Sequence, residues 1–351
     1  MSKSKLTLII DGNWLLMSRV SVLLGRFDDL ELRYQLQLLL TKSIKLVLKQ
    51  FPQIDNIIFI ADGGSWRNSL PIPDYLLDEN GNKISYKGNR ERDDEINWDL
   101  IFNAYEEYIE ILKQNGINAF REKDIEGDDW AWWRSTQLNA QGTNCIIWTK
   151  DKDLQQLVNI DNNKCFTVWW NKENGMFTAE FNDNNLDFLF NNDYNENDEL
   201  FNQITNKIEY TQINKNDIVL DKIIRGDAGD NIMPIIFKLA KNTESGKKFR
   251  ISVKDIDNTL NYKDNNKVRE YINNLCNSKK YLGKINVTPE NAYDHFIYNR
   301  QLVALEKESY PKEILESLSN YTQYNINKDI YIIENKLQAS SNKLQGILDI
   351  I

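Results

Sequence analysis

The chain has 351 residues, 41% hydrophobic and 27% charged, with 43 Lys and Arg against 52 Asp and Glu and a net charge of −9. That length and balance describe a folded chain of two domains, or of one large domain with an appended lobe. One histidine and three scattered cysteines exclude most zinc sites, histidine-based triads and a disulfide framework, and point to a reducing cytoplasm. No run nears the roughly 18 apolar residues of a membrane span, and the apolar run at the N-terminus is too short for a secretory leader.

In chain order, LTLIID (6–11) reads as a strand and ELRYQLQLLLTKSIKLVLKQ (31–50) as a helix with a period near 3.6. IDNIIFIAD (54–62) is a second strand, and 71–90, with its Asn-Gly pair, a loop or hairpin. INWDLIFNAYEEYIEILKQNG (96–116) reads as a helix, INAF as a short strand, EGDDWAWWRSTQLNAQG as a helix and NCIIWTK as a further strand. This alternation predicts a parallel sheet with helices on both faces, an α/β class. KCFTVWWN and GMFTAEF, joined by Lys172-Glu-Asn-Gly, read as a hairpin. Asn- and Asp-rich sequence (182–204) follows, then mostly helical segments. His295, on a helix among aromatics (AYDHFIY), reads as structural, and Cys145, Cys165 and Cys276 as core filler.

Open parallel sheets bind ligands outside the carboxyl ends of their strands, and acids gather there. The first strand ends at Asp11 and the second at Asp62; a helix start carries Glu126, Asp128 and Asp129; a later strand ends in TKDKD with Asp151 and Asp153. Further on, IIRGDAGDNI adds Asp227 and Asp230. Singly, each has a plain reading: Asp11 or Asp62 as a helix cap, EGDD as a partner of the helix dipole. Jointly, four segments bring acids to one sheet edge with no Lys or His between them, and crowded carboxylates raise one another's pKa. Divalent cations relieve this, and an all-oxygen ligand set suits Mg²⁺ or Mn²⁺. Counted as ligands and set aside, these nine acids bring the net charge from −9 to zero, leaving basic residues free to form a local patch. Two ions about 3.5–4 Å apart would activate a water and stabilise the leaving oxygen of a phosphodiester. YKGNR, with Tyr86, Lys87 and Arg90, supplies the cations and the aromatic that such chemistry needs; its plain reading is a surface turn.

In the order IIDGN, FIADGG, YKGNR, EGDD, TKDKD, GDAGDN, the chain resembles the phage-type 5′ nucleases, which include flap endonucleases and phage RNase H; the six elements agree across residues 5 to 232. The resemblance implies a PIN-like α/β domain with a central, mainly parallel sheet (1–182), carrying a small arch over about 86–116. A mostly helical lobe (183–351) of helix–three-turn–helix type would hold duplex DNA. It implies that Asp11, Asp62, Glu126 and Asp128 hold one ion and Asp151, Asp153 and Asp230 a second, with Asp129 and Asp227 acting through water or from behind the ligands. Lys87 and Arg90 would contact the scissile phosphate, and Tyr86 would stack on a nucleotide. The chain departs from the family in lacking a Gly-Ile-Gly-Lys type hairpin after GDAGDN; instead Ser245-Gly-Lys-Lys opens a second helix. There Gly246, Lys247, Lys248 and Arg250 would grip a duplex phosphate, or form a solvated basic loop.

The function expected is a 5′-3′ exonuclease or 5′ flap endonuclease using two Mg²⁺ ions, with Mn²⁺ substituting. It would act on nicked or branched duplex DNA or RNA–DNA in replication, as a cytoplasmic monomer, leaving 5′-phosphate and 3′-hydroxyl ends. The C-terminal SNKLQGILDII reads first as a tail packed on its own domain. Its second reading resembles the peptides by which replication proteins dock on sliding clamps; a single-strand binding protein is the other partner considered. Three alternatives stand beside this function. A PIN-domain endoribonuclease on single-stranded RNA shares the acid edge but not GDAGDN. A non-catalytic structure-specific DNA-binding protein would lack a strand-end acid. A phosphatase would need a second Asp one residue beyond the nucleophile, which IIDGN does not have.

Overall fold

The computed structural model describes residues 6–25, 29–78, 80–90, 93–158, 165–171, 176–181, 208–212, 215–237, 251–285, 287–321, 330 and 332–338. LTLIID forms β1 (Leu6–Asp11) and is buried along its whole length. With β2 (Asn56–Ile60), β3 (Asn118–Phe120), β4 (Asn144–Trp148), β5 (Cys165–Asn171), β6 (Met176–Phe181) and β7 (Ile208–Gln212) it makes one sheet, ordered β3-β2-β1-β4-β5-β6-β7. All neighbours run parallel except β5 and β6, the hairpin expected from the sequence, whose turn residues 172–175 lie outside the described ones.

Strands covered on both faces read as unbroken apolar runs rather than alternating ones, and NIIFI and NCIIW are of that kind. Leu8, Ile10, Ile57 and Phe59 join the core beneath helices α1 (Gly12–Leu23), α2 (Asp29–Gln50) and α3 (Trp98–Gln114). Residues of the other parity, Ile9, Ile58 and Ile60, are as deeply buried on the face that carries α4 (Gly127–Ala140). The expected parallel α/β sheet is therefore present. Two elements were not foreseen, α1 and the edge strand β7.

Contacts group the chain into two compact units. One comprises Met1–Gly64, Asp93–Ile213 and Glu316–Ile351; the other comprises Ser65–Arg92 and Asn214–Leu315. The division differs from the expected boundary at 182/183, because β7 extends the sheet past that point and 65–92 packs with 214–315. Nor is the stretch 98–114 of the expected arch free of the sheet layer. It is α3, whose Ile101, Ala104, Tyr105, Tyr108, Ile109 and Leu112 are buried in the first unit's core.

The second unit is built on α5 (Lys215–Arg225), α6 (Asn265–Asn277) and α7 (Pro289–Val303), around a core that includes Val219, Ile223, Ile272 and Phe296. His295 lies in this core, edge-on to Tyr75 and Phe237. Burial lowers its pKa to about 3, so the ring is neutral. The three cysteines are free and buried. The basic segment Gly246, Lys247, Lys248 and Arg250, and the tail 341–351, lie outside the described residues. No helix among the described residues is long and apolar enough to cross a membrane.

Candidate active site

Strand register sets the acid edge. Asp11 pairs with Ile60, one residue short of Ala61 and Asp62, and Ile10 pairs with Trp148, so Thr149 follows directly beside Asp11. The carboxylate of Asp11 caps α1, accepting from the Trp14 amide at 3.0 Å, and takes a second hydrogen bond from the Thr149 hydroxyl at 2.7 Å. Gly12 follows Asp11 because no side chain fits there: a Cβ would stand 2.3 Å from the Tyr105 Oη and 2.6 Å from the Ile60 carbonyl oxygen. Asp62 is held by its backbone amide on Asn13 Oδ1 (3.2 Å), and its Oδ1 accepts from the Gly127 amide (2.6 Å) at the start of α4.

That helix opens with a capping box. Glu126 is the N-cap, and its amide donates to Asp129 Oδ2 at 3.0 Å; Asp128 lies in the same first turn. Asp129 is fully buried, so its visible role is structural. Beyond β4, Thr149 Oγ1 accepts from the Asp151 amide (2.9 Å), and Asp151 Oδ1 accepts from the Asp153 amide (2.9 Å), where a 3-10 turn, Asp153–Leu157, begins. The cap reading of Asp11 and the helix-dipole reading of EGDD thus hold.

The electrostatics are those of crowded anions. Burial, joined by repulsion from Asp151 and Asp62, pushes the Asp11 carboxyl up to about 7 against the hydrogen bonds from Trp14 and Thr149. Burial, then the charges of Asp62 and Asp11, hold the Tyr105 phenol well above its ordinary range. Among the described residues no three such groups form a cage able to hold an ion. The donor chemistry suits a hard divalent cation, but the carboxylates form an open set, and those of Asp11, Asp62, Asp129 and Asp151 are engaged in hydrogen bonds of their own.

Asp227 and Asp230 belong to the second unit. Their loop is closed by reciprocal bonds between Asp227 and Ile232 (2.9 and 2.8 Å), with Gly226 at φ 72° and Asn231 at φ 57°. At Gly226 a Cβ would stand 2.2 Å from the Ile232 carbonyl oxygen. This pair has cations beside it. Lys222 Nζ lies 2.7 Å from Asp227 Oδ2, and Arg90 Nη2 lies 2.6 Å from Asp230 Oδ1. Burial raises the Asp227 pKa, yet Lys222 and the loop amides outweigh it and hold the carboxyl below its usual range. Tyr86 is a core residue here, with its hydroxyl 3.4 Å from Asp230 Oδ2 and Lys87 Nζ 4.9 Å from its ring centre. It therefore offers no open face for the expected nucleotide stacking.

Three residues at the acid edge escaped the sequence reading. Thr149 links Asp11 to the TKDKD loop, Asn13 holds the Asp62 amide and accepts from the Tyr105 hydroxyl (3.2 Å), and Arg121 Nε donates to the Asp62 carbonyl (3.0 Å). The signal for the first two was adjacency, since each lies within two residues of a strand-end acid.

No family model matches the chain. Two curated proteins named 5′-3′ exonuclease are similar to it. That of Buchnera aphidicola subsp. Acyrthosiphon pisum (strain APS) is 30% identical over 141 residues, 40% of this chain and 42% of that protein. That of Mycoplasmopsis pulmonis (strain UAB CTIP) is 26% identical over 234 residues, 67% of this chain and 63% of that protein. The match thus spans less than two thirds of either relative. Among solved structures, the phage T5 D15 protein co-crystallised with metal ions superposes with a TM-score of 0.54 at 16% identity, over 90% of this chain and 97% of that one. T5 5′-exonuclease with bound zinc gives 0.53 at 17%, over 94% and 100%. The bacteriophage T5 D15 flap endonuclease, in a pseudo-enzyme–product complex with DNA and metal ions, gives 0.54 at 16%, over 94% and 100%. The chain has the fold of the phage T5 5′-exonuclease and is similar in sequence to 5′-3′ exonucleases, so its resemblance to the phage-type 5′ nucleases is borne out.

Proposed function

We propose that this chain is a divalent-metal-dependent 5′-3′ exonuclease and 5′ flap endonuclease acting on nicked or branched duplexes. The observation that carries this reading is the meeting of Asp11, Asp62 and Asp151 beyond the carboxyl ends of β1, β2 and β4, close enough for the latter two to raise the proton affinity of the first. The relatives' names support the activity, and the metal ions of the T5 structures support the cofactor. The DNA in one of those structures supports the substrate class.

Asp11, Asp62, Glu126 and Asp128 would hold one ion. Asp151 and Asp153 would hold a second, with Asp129 supporting from behind. Mg²⁺ is the ion proposed, with Mn²⁺ substituting; when bound, it supplies charge neutralisation and Lewis acidity at the scissile phosphate. The chain's own residues do the rest. Thr149 and Asn13 orient Asp11 and Asp62, while Lys87 and Arg90 stabilise charge developing on the phosphoryl group. No side chain is assigned as an obligatory base, and Tyr86, being buried, is assigned no nucleotide. Primer or flap removal during replication, by a cytoplasmic monomer, is the setting proposed. Docking on a sliding clamp would fall to residues 341–351, outside the described part.

The test is a duplex with a 5′ flap, labelled at either end and incubated with Mg²⁺ or with EDTA. Magnesium-dependent release of short 5′ fragments is expected. Cleavage of single-stranded RNA with no cutting of the flap would move the assignment to a PIN-type endoribonuclease. Tight duplex binding without any cleavage would make the protein a binder only.

A further inference from the structure

By sequence the YKGNR turn and the GDAGDN loop carry separate roles, cations for phosphate and carboxylates for metal. Within the second unit they are joined. The Lys87 amide donates to the Asp230 carbonyl at 2.8 Å. Asn89 Nδ2 donates to the Ala228 carbonyl at 2.9 Å, and Asn231 Nδ2 to the Ser85 carbonyl at 2.8 Å. Arg90 pairs with Asp230 Oδ1 at 2.6 Å, and the Tyr86 hydroxyl meets Asp230 Oδ2 at 3.4 Å. The turn therefore rests on the loop through one backbone bond, one side-chain clamp from each partner, and a shared carboxylate. Both pieces are themselves stiff in unusual conformations. Lys87 and Asn231 have positive φ, at 54° and 57°, and the loop is closed by its reciprocal Asp227–Ile232 bonds. A side chain at φ > 0 persists only where its surroundings hold it, and these surroundings are each other.

We infer that the Asp227–Ile232 loop is a cradle that positions Lys87 and Arg90, with Asn89 and Asn231 as its two positioning residues and Asp230 as the counter-charge that aims Arg90. Loss of a clamp leaves Lys87 chemically intact but no longer fixed in place. This rests on the reading that Lys87 acts on the scissile phosphate, and a two-part experiment separates the two ideas.

The first part needs no catalysis. Amide hydrogen exchange at Lys87 is compared between the wild-type chain and Asn89→Ala/Asn231→Ala. Removing two ordinary hydrogen bonds should cut protection at that amide by about thirtyfold, with exchange in β1, β2 and β4 unchanged. Asn231→Gly, which keeps positive φ without strain and drops only the amide group, separates the clamp from the backbone requirement; it should lower protection by about fivefold. Unchanged protection in the double variant would overturn the cradle. The second part is a double-mutant cycle on the 5′-flap duplex. The cradle variant should lose about tenfold in kcat at nearly constant KM, and Lys87→Ala added to it should cost far less than Lys87→Ala alone, because both act through one ammonium. Additive losses would refute positioning of Lys87. A wild-type chain that cuts no flap would refute the proposed function while the exchange result still judged the cradle.

Discussion

Asp11→Asn separates the charge of the acid edge from its shape. In the metal-free fold the Asp11 carboxyl holds its proton to about pH 7, whereas in the unfolded chain it titrates near 3.8. Below 3.8 both states are protonated and no penalty exists. Between the two values the unfolded chain releases the proton and the folded chain keeps it, so stability falls as pH rises; above 7 the penalty is constant. Little more than three pH units at about 1.4 kcal/mol each puts the full cost near 4 kcal/mol. Asparagine fits the same place: its Oδ1 can accept from the Trp14 amide, and its Nδ2 can donate to Thr149 Oγ1 if the hydroxyl turns. The variant should therefore be more stable than the wild type in EDTA at pH 8, by several kcal/mol. The gap should narrow by roughly 2–3 kcal/mol on going to pH 5. Urea unfolding of both proteins at matched pH reads this directly, since other carboxylates cancel in the difference. Added Mg²⁺ should stabilise the wild type at pH 8 by mass action and the variant far less. A difference between the two proteins that does not change with pH would refute the account of Asp11, and with it the electrostatic case for a cation.

Other substitutions probe other parts of the argument. Asp151→Asn, at an exposed position, should change stability by less than about 0.5 kcal/mol and leave duplex affinity intact while turnover is lost; unchanged turnover on the flap substrate would remove Asp151 from the site. Gly12→Ala should cost about 3 kcal/mol in urea unfolding, because its Cβ would meet Tyr105 Oη at 2.3 Å and Phe59 at 2.4 Å. Thr149→Val takes a donor from buried Asp11 and an acceptor from the Asp151 amide; calorimetry should find a loss of about 1–3 kcal/mol. In the second unit, buried Glu306 accepts from Arg300 Nε (2.8 Å) and from Lys263 Nζ (2.6 Å). Glu306→Gln should destabilise the chain by about 3 kcal/mol through the counter-charge it withdraws, and a shift in urea midpoint worth less than 1 kcal/mol would contradict that.

β1, β2 and β4 were legible because they are buried along their whole length and so spell themselves as apolar runs leading into Asp. α1 was not, because GNWLLMSRVSVL shows no clear apolar stripe; Asp11 as its cap was the signal to weigh. β7 was hidden by its Asn-rich surroundings, although IEYTQ carries the branched and aromatic residues of a strand. Residue type and strand-end position were enough to place Asp11, Asp62, Glu126 and Asp151 along one sheet edge. They could not tell that Asp129 would be absorbed by a capping box, or that Arg90 and Lys222 would sit on the GDAGDN acids. Those facts depend on which segments pack together, and local pattern carries little of that. Tyr86 shows the same limit: an aromatic beside two cations suggested a stacking face, and packing put it in a core.

The path of the chain has a consequence for how the protein is made. The core under α1, α2 and α3 includes Ile330, Ile333 and Leu337, all but inaccessible to solvent and more than three hundred residues downstream of α1. A nascent chain leaving the ribosome can pair β1 with β2 early, but it closes that core only after the whole intervening stretch has been synthesised. Closing so large a loop is slow relative to local contacts, and until then an apolar surface stays open to chaperones and to proteases. Translation stopped between residues 153 and 330 thus yields a polypeptide carrying every strand-end acid and still lacking the last part of its own interior.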